Sequence, residues 1–271
     1  MISEITLGQY YPADSVVHKL DARLKIIFTL VYILLSFFSR NYYSIATLYF
    51  FVFIVTIFSK IPFKMYLKSI KMILFVILFT SIMNLFYGSG DEVFSFSVIK
   101  ITQNGINNSI FVALRFVILV FSSSILTYVT TPSELTNGIE SLLKPLSLFK
   151  INVSNFAMMV TIALRFVPTL LQETDKISKA QKARGAQIES SNLKKRCKAL
   201  ISILIPLFMS SFRKANDLAI AMECRCYNCD KKRSKMDPLK FKKTDLYASI
   251  LSVVFILVFF IFNQLFKAVN F

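Results

Sequence analysis

The sequence predicts an all-α integral membrane protein: about five transmembrane helices, with three amphipathic helices in a charged region between the fourth and fifth. Three observations lead there. The 271-residue chain is 55% hydrophobic, with a mean hydropathy of +0.59, well above an ordinary soluble domain. It nevertheless carries a formal net charge of +17, from 32 Lys and Arg against 15 Asp and Glu. The two properties are segregated, with the apolar residues in uncharged runs and the basic residues between them.

A helix needs roughly 17–25 apolar residues to cross the hydrocarbon of a bilayer. Ile26–Ser39 is short for a first span, and Lys25 and Arg40 are expected to extend it by snorkelling. Arg40-Asn41 turns the chain into a second span, Tyr42–Ser59. Met72–Tyr87 is the third, closed by Gly88-Ser89-Gly90-Asp91. Ile106–Thr131 is the fourth and holds Arg115, a residue expensive in lipid that should face protein or snorkel. Leu246–Phe266, 21 residues without a charge, is the clearest span and the fifth. The domain boundaries follow: 1–131 for the N-terminal segment and four spans, 132–245 for the charged helices, 246–271 for the last span.

The basic residues set the expected orientation. With the N-terminus in the cytoplasm, 28 of the 32 basic residues fall inside; Arg40, Lys100 and Lys267 fall outside and Arg115 lies within a span. The inverted arrangement would place those 28 outside. The expected location is therefore the plasma membrane, multi-pass, with the N-terminus and charged helices cytoplasmic. About 25 polar and amphipathic residues precede the first apolar run and no small-residue cleavage site follows it, so a cleavable signal peptide is not expected. All four cysteines (Cys197, Cys224, Cys226, Cys229) fall in the region assigned to the reducing cytoplasm, which argues against disulfides.

Region 132–245 keeps helical spacing despite its charge. Leu135, Ile139, Leu142 and Leu146 form one stripe, Phe156, Val160, Ala163, Leu164, Val167 and Leu171 a second, and Cys197, Leu200, Ile201, Leu204, Ile205, Phe208 and Phe212 a third. Pro145, Pro168 and Pro206 are expected to kink or break these helices. The last two look like an internal pair: each carries a Pro in an apolar stretch, turns polar, and runs on to an Arg, 16 residues from Pro168 to Arg184 and 19 from Pro206 to Arg225.

Those arginines are the candidate functional residues. In Ala183-Arg184-Gly185, Gly185 suits the position after a helix, where φ is positive. Lys182 and Arg184 suit its negative end. The small Ala183 lets the tip enter a narrow groove, and Arg184 can pair bidentately with a carboxylate. Taken alone, the tripeptide also reads as an ordinary basic helix terminus. Cys224-Arg225-Cys226 places an Arg similarly, but Cys226 does not relieve a positive φ as Gly would, so this second helix end is less defined. Cys224, Cys226 and Cys229 form C-x-C-x2-C, which is not the paired C-x2-C spacing of structural zinc sites, and no metal is expected. The basic charge comes without a zinc-finger, helix-turn-helix or RNP-type signature, which argues against nucleic acid and for lipid and acidic partners.

Several motifs in order carry a resemblance. Gly8-Gln9-Tyr10-Tyr11-Pro12-Ala13-Asp14-Ser15 followed by His18-Lys19-Leu20-Asp21-Ala22-Arg23-Leu24-Lys25 is similar to the opening of the transmembrane T component of energy-coupling factor (ECF) transporters, the EcfT/CbiQ-like family. So are Thr131-Pro132-Ser133-Glu134-Leu135, Ala163-Leu164-Arg165-Phe166-Val167-Pro168-Thr169-Leu170 and its run to Ala183-Arg184-Gly185, and Pro206-Leu207-Phe208 to Glu223-Cys224-Arg225. The opening resembles the shared T component of vitamin-type modules more than the metal-dedicated type. The resemblance implies a non-catalytic subunit of an importer for a micronutrient, a vitamin or a metal ion. It implies two ABC ATPase subunits whose grooves receive Arg184 and Arg225, and a separate substrate-binding S component. ATP and Mg are then expected on the ATPases, with no cofactor on this chain. Arg184 matches the family motif fully; Arg225 matches at the Arg alone.

Two other functions compete. A stand-alone permease predicts polar or charged residues along several spans at mid-depth, and only Arg115 is charged inside a span. A membrane enzyme needs an acid/base or nucleophile set, and one His with few acidic residues argues against it. No G-x4-G-K-[ST] phosphate loop is present.

Overall fold

The computed structural model describes residues 10–86, 92–96, 99–149, 152–186, 188, 190, 192–228 and 241–266. Gly8, Gln9, the Gly88–Asp91 turn and Cys229, all used above, lie outside the described residues. The chain divides into two compact units, Gly8–Leu142 with Leu239–Phe271, and Leu143–Pro238 with Met1–Leu7.

The first unit holds α1 (Ala22–Phe38), α2 (Tyr42–Ser59), α3 (Phe63–Phe86), α4 (Gln103–Val129), α5 (Pro132–Leu143) and α8 (Lys243–Leu265). Its helix ends are set by local chemistry. The Asp21 carboxylate accepts from the Arg23 N–H to start α1. The Thr102 hydroxyl accepts from the Gly105 N–H to start α4. Thr131-Pro132-Ser133-Glu134 is a capping box: the Thr131 hydroxyl accepts from the Glu134 N–H (3.3 Å), while the Thr131 N–H donates to the Glu134 carboxylate (3.2 Å). Pro132 takes the first helical position, where its missing N–H costs nothing. α5 then lies against α1 through Gly138, whose added Cβ would stand 2.9 Å from Ile26 Cδ1 and 3.2 Å from Ala22 Cβ.

Helices α1, α2, α4 and α8 share one apolar core, made of Tyr32 and Leu35, Ile45, Leu48, Phe51 and Val52, Phe111 and Ile118, and Phe259. Tyr32 stacks on Phe51 with ring centroids 4.4 Å apart. α3 packs on α4, with Tyr66 buried beside Tyr128 and Val129, and the Ser69 and Tyr128 hydroxyls 2.7 Å apart. The outer faces carry Phe37, Phe50, Phe53, Phe75 and Leu257, all exposed. An apolar periphery of this kind suits lipid rather than water.

The structure departs from the sequence reading in several places, and at Arg115 it selects one of the two expected outcomes. A two-stranded antiparallel hairpin, β1 (Glu92–Phe96) and β2 (Ile99–Thr102), joins α3 to α4 in an otherwise helical chain. Lys25 does not snorkel: it is buried, and its ammonium donates to the carbonyls of His18 (2.8 Å) and Val129 (3.3 Å). The folded N-terminal segment brings one of those carbonyls to it and the end of α4 the other. Arg115 faces protein, donating to the Ser39 carbonyl at the end of α1 (3.1 Å) and lying 5.1 Å from the centroid of the Phe111 ring. Finally, the five helices long and apolar enough to cross a membrane are α2, α3, α4, α8 and α6 (Val153–Ala183). That set is drawn from the described residues; the long α6 enters it because its N-terminal half is apolar, while α1, at 17 residues, is at the lower limit of a spanning length.

The second unit contains a 3-10 turn (Lys144–Phe149), α6 and α7 (Leu193–Cys224). Pro145 lies in the turn that follows α5. Pro168 and Pro206 do not break their helices, which run on through both for 31 and 32 residues. A proline forfeits one backbone hydrogen bond, and the remaining turns hold the rod together.

Candidate functional site

The two arginine motifs end α6 and α7 in the same way. At the end of α6, the Gly185 N–H donates to the Lys182 carbonyl (3.0 Å) and the Ala186 N–H to the Gln181 carbonyl (2.9 Å). Gly185 has φ +85°. This is a Schellman cap, with Ala183 the last helical residue and Arg184 the C-cap. At the end of α7, the Cys226 N–H donates to the Glu223 carbonyl (2.8 Å) and the Tyr227 N–H to the Met222 carbonyl (3.0 Å). Cys224 is the last helical residue, Arg225 the C-cap, and Cys226 takes φ +55°.

The second tip is therefore as well defined as the first. The helix end that sequence leaves open is formed, with a cysteine held in the left-handed region. Ala183, Arg184, Gly185, Cys224, Arg225 and Cys226 are all exposed. Among the described residues, neither guanidinium has a hydrogen-bond or ion-pair partner. The described residues also hold no group of three His, Cys, Asp or Glu placed to bind a metal ion.

The feature that sequence reading missed is how the two helices meet. The Lys214 ammonium donates to the Glu173 carboxylate at 3.1 Å, both side chains about 30% exposed. Glu173 stands 11 residues before Arg184, and Lys214 stands 11 residues before Arg225. The helices touch at equivalent heights, leaving two arms of equal length, about 16 Å at 1.5 Å per residue.

Chain connectivity then fixes how the arms diverge. The link from Arg184 to Leu193 can span at most about 31 Å. Leu193 lies about 31 Å along α7 from Lys214. Had α6 and α7 run parallel through their contact, the end of one and the start of the other would be about 48 Å apart. They must therefore cross at more than a right angle, which holds the two arginines more than about 23 Å apart. The second unit presents two separate cationic tips on one crossed scaffold.

The N-terminal motif builds something else, a polar knot in the first unit. The Tyr11 N–H donates to the Tyr128 carbonyl (3.0 Å). His18 Nε2 lies 2.9 Å from the Tyr11 carbonyl and Nδ1 2.6 Å from the Ser15 hydroxyl. Nε2 donates to the carbonyl, so a neutral ring leaves Nδ1 to accept from Ser15. Desolvation holds the His18 pKa below its ordinary value, reinforced by the nearby Lys25 charge and opposed by the Tyr11 hydrogen bond, Glu134 and Asp14. Asp245, fully buried at the start of α8, accepts from the Asp21 and Lys242 N–H groups at 3.0 and 2.7 Å. Asp21 thus caps α1, and His18 packs within the N-terminal segment.

Comparison with known proteins bears on both units. Residues 13–236 match the family model described as "Cobalt transport protein" (CbiQ). The chain is 46% identical over 255 residues to the energy-coupling factor transporter transmembrane protein EcfT of Ruminiclostridium cellulolyticum, covering 94% of this chain and 96% of that protein. It is 44% identical to EcfT of Clostridium kluyveri, covering 94% and 96%. It is 39% identical to EcfT of Bacillus subtilis, covering 96% and 99%.

Proposed function

This chain belongs to the EcfT/CbiQ family of ECF-transporter transmembrane proteins and is a multi-pass membrane protein; from that premise we propose that it is the non-catalytic coupling subunit of an ATP-driven importer. Arg184 and Arg225 each seat in a groove of one of two ABC ATPase subunits, where acidic side chains receive the guanidinium. ATP and Mg reside on those partners. The spans and the apolar faces of α6 and α7 hold a separate S component, which binds a micronutrient, a vitamin or a metal ion. The charged helices and the N-terminus face the cytoplasm.

The crossed scaffold with two equal, separated, unpaired cationic tips carries this reading. Two tips more than about 23 Å apart suit two receptors rather than one. A rigid arm of about 16 Å converts a change in receptor spacing into a change in crossing angle. The work comes from the different contacts the tips make in the ATP-bound and ATP-free receptors. A stand-alone permease has no use for two exposed tips.

The test is co-purification and uptake. Truncating one partner of a desolvated ion pair costs about 2–5 kcal/mol, and charge reversal costs more. Arg184→Glu is expected to weaken recovery of the ATPases from detergent extracts. Arg184→Glu with Arg225→Glu is expected to abolish both recovery and transport. A double variant that still recovers both ATPases and transports normally would remove the docking proposal.

A further inference from the structure

Four helices of the first unit surround an apolar crevice of about 360 Å³ at the end where α1 and α8 begin and α2 and α4 finish. Tyr32 and Phe51 form its inner end, Val52, Val55, Ile125 and Leu126 its walls, and the N-terminal segment closes it with Val17 and Leu20. Its volume is in the usual range for a small-molecule site, roughly 300–1,000 Å³. The lining is mostly apolar; of its polar groups, the Lys25 ammonium and the Thr29 hydroxyl already donate to backbone carbonyls, and Ser122, Thr244 and Tyr247 are the others. Apolar walls of this kind gain from an apolar occupant that removes them from water.

Its mouth is lateral. Val16, Phe58, Tyr247 and Leu251 line the crevice and are also 47–70% exposed. Phe58 is on the last turn of α2 and Tyr247 on the first turns of α8, two helices apolar and long enough to span a bilayer. The opening therefore faces lipid tails near one membrane surface. Four exposed cations stand next to it in sequence: Lys19 before Leu20, Lys60 two residues after Phe58, and Lys242 and Lys243 before Thr244. Asp14 approaches Lys19 only to 3.9 Å and is itself almost fully exposed, so it leaves that charge largely available.

We propose that this crevice is a binding site for one anionic phospholipid, with an acyl chain between α1, α2, α4 and α8 and the phosphate headgroup at Lys19, Lys60, Lys242 and Lys243. The tail covers apolar walls, and the basic rim selects the headgroup. The lipid joins the N-terminal segment to α2 and α8, supplementing the protein contacts there. This proposal does not depend on ATPase docking.

The test is native mass spectrometry of the full chain released from nanodiscs holding equal amounts of phosphatidylglycerol and phosphatidylcholine. The wild type should retain one phosphatidylglycerol. Ala248→Phe and Thr29→Leu both put bulk into the crevice and should remove that lipid, while Ile250→Phe on the exposed face of α8 should retain it. Circular dichroism identifies the filling variants that keep their helix content. Replacing Lys60, Lys242 and Lys243 by Gln should lower phosphatidylglycerol retention about a hundredfold. The proposal is overturned by no retained lipid, by equal retention of phosphatidylcholine, or by retention unchanged in a folded filling variant.

Discussion

The two helix tips differ by one backbone liability, and that difference gives a prediction with opposite signs at equivalent positions. Gly185 (φ +85°) and Cys226 (φ +55°) both follow a C-cap arginine. An L-residue with a Cβ pays about 1–2 kcal/mol in the left-handed region, whereas glycine pays nothing sterically. A Cβ built on Gly185 meets nothing within 4 Å, so Gly185→Ala pays backbone strain without a clash, offset in part by the about 0.4–1 kcal/mol that losing a glycine saves in the unfolded chain. We expect Gly185→Ala to weaken the α6 cap by about 1 kcal/mol. Cys226→Gly should strengthen the α7 cap by somewhat less than the strain it relieves, because glycine also loses about 0.4–1 kcal/mol to the freer unfolded chain.

Hydrogen exchange of the purified protein in nanodiscs reads this directly, since fraying of a terminal turn is a local opening. About 1 kcal/mol is roughly a fivefold change in opening. Amides of 180–186 should exchange about fivefold faster in Gly185→Ala, and those of 220–228 about twofold to threefold slower in Cys226→Gly. Each change should stay within its own arm. Faster exchange in Cys226→Gly, or no change in either variant, would refute the claim that both arginines are presented by the same strained cap.

Two further outcomes concern the first unit. Asp245→Ala leaves the buried Asp21 N–H without its acceptor and removes the part-buried bond from the Lys242 N–H, so thermal or denaturant unfolding in micelles should show a loss of about 1–3 kcal/mol; a variant as stable as wild type would show that the carboxylate does not bind α8 to α1. His18 has a lowered pKa, so the unfolded chain takes up its proton first as pH falls; stability is full above the ordinary His value of about 6.5 and declines below it. A stability midpoint followed from pH 7.5 to 5 should fall in wild type and stay flatter in His18→Gln, and identical profiles would contradict the neutral-ring assignment.

Much of this architecture is legible in sequence because its signals are local. Uncharged runs mark α2, α3, α4 and α8, and Thr131-Pro132-Ser133-Glu134 writes its capping box within four residues. The Ala183-Arg184-Gly185 terminus is legible because glycine reports a positive φ. Its counterpart is not, because a cysteine in that conformation is held there by hydrogen bonds from Cys226 and Tyr227 back to Glu223 and Met222. Lys25 misleads for a different reason. A lysine beside an apolar run ordinarily reaches for the interface, but here the N-terminal segment and the end of α4 bring two carbonyls to it.

Sequence alone determined that this is a helical membrane protein with two long amphipathic helices, each ending in an arginine, because periodicity, charge segregation and helix-end chemistry act over a few residues. Only the tertiary structure decided that Glu173 meets Lys214 at equal distances from those arginines, and hence that the tips point apart. Which turns of two helices touch depends on side chains 41 residues apart finding one another, and no local pattern encodes that meeting.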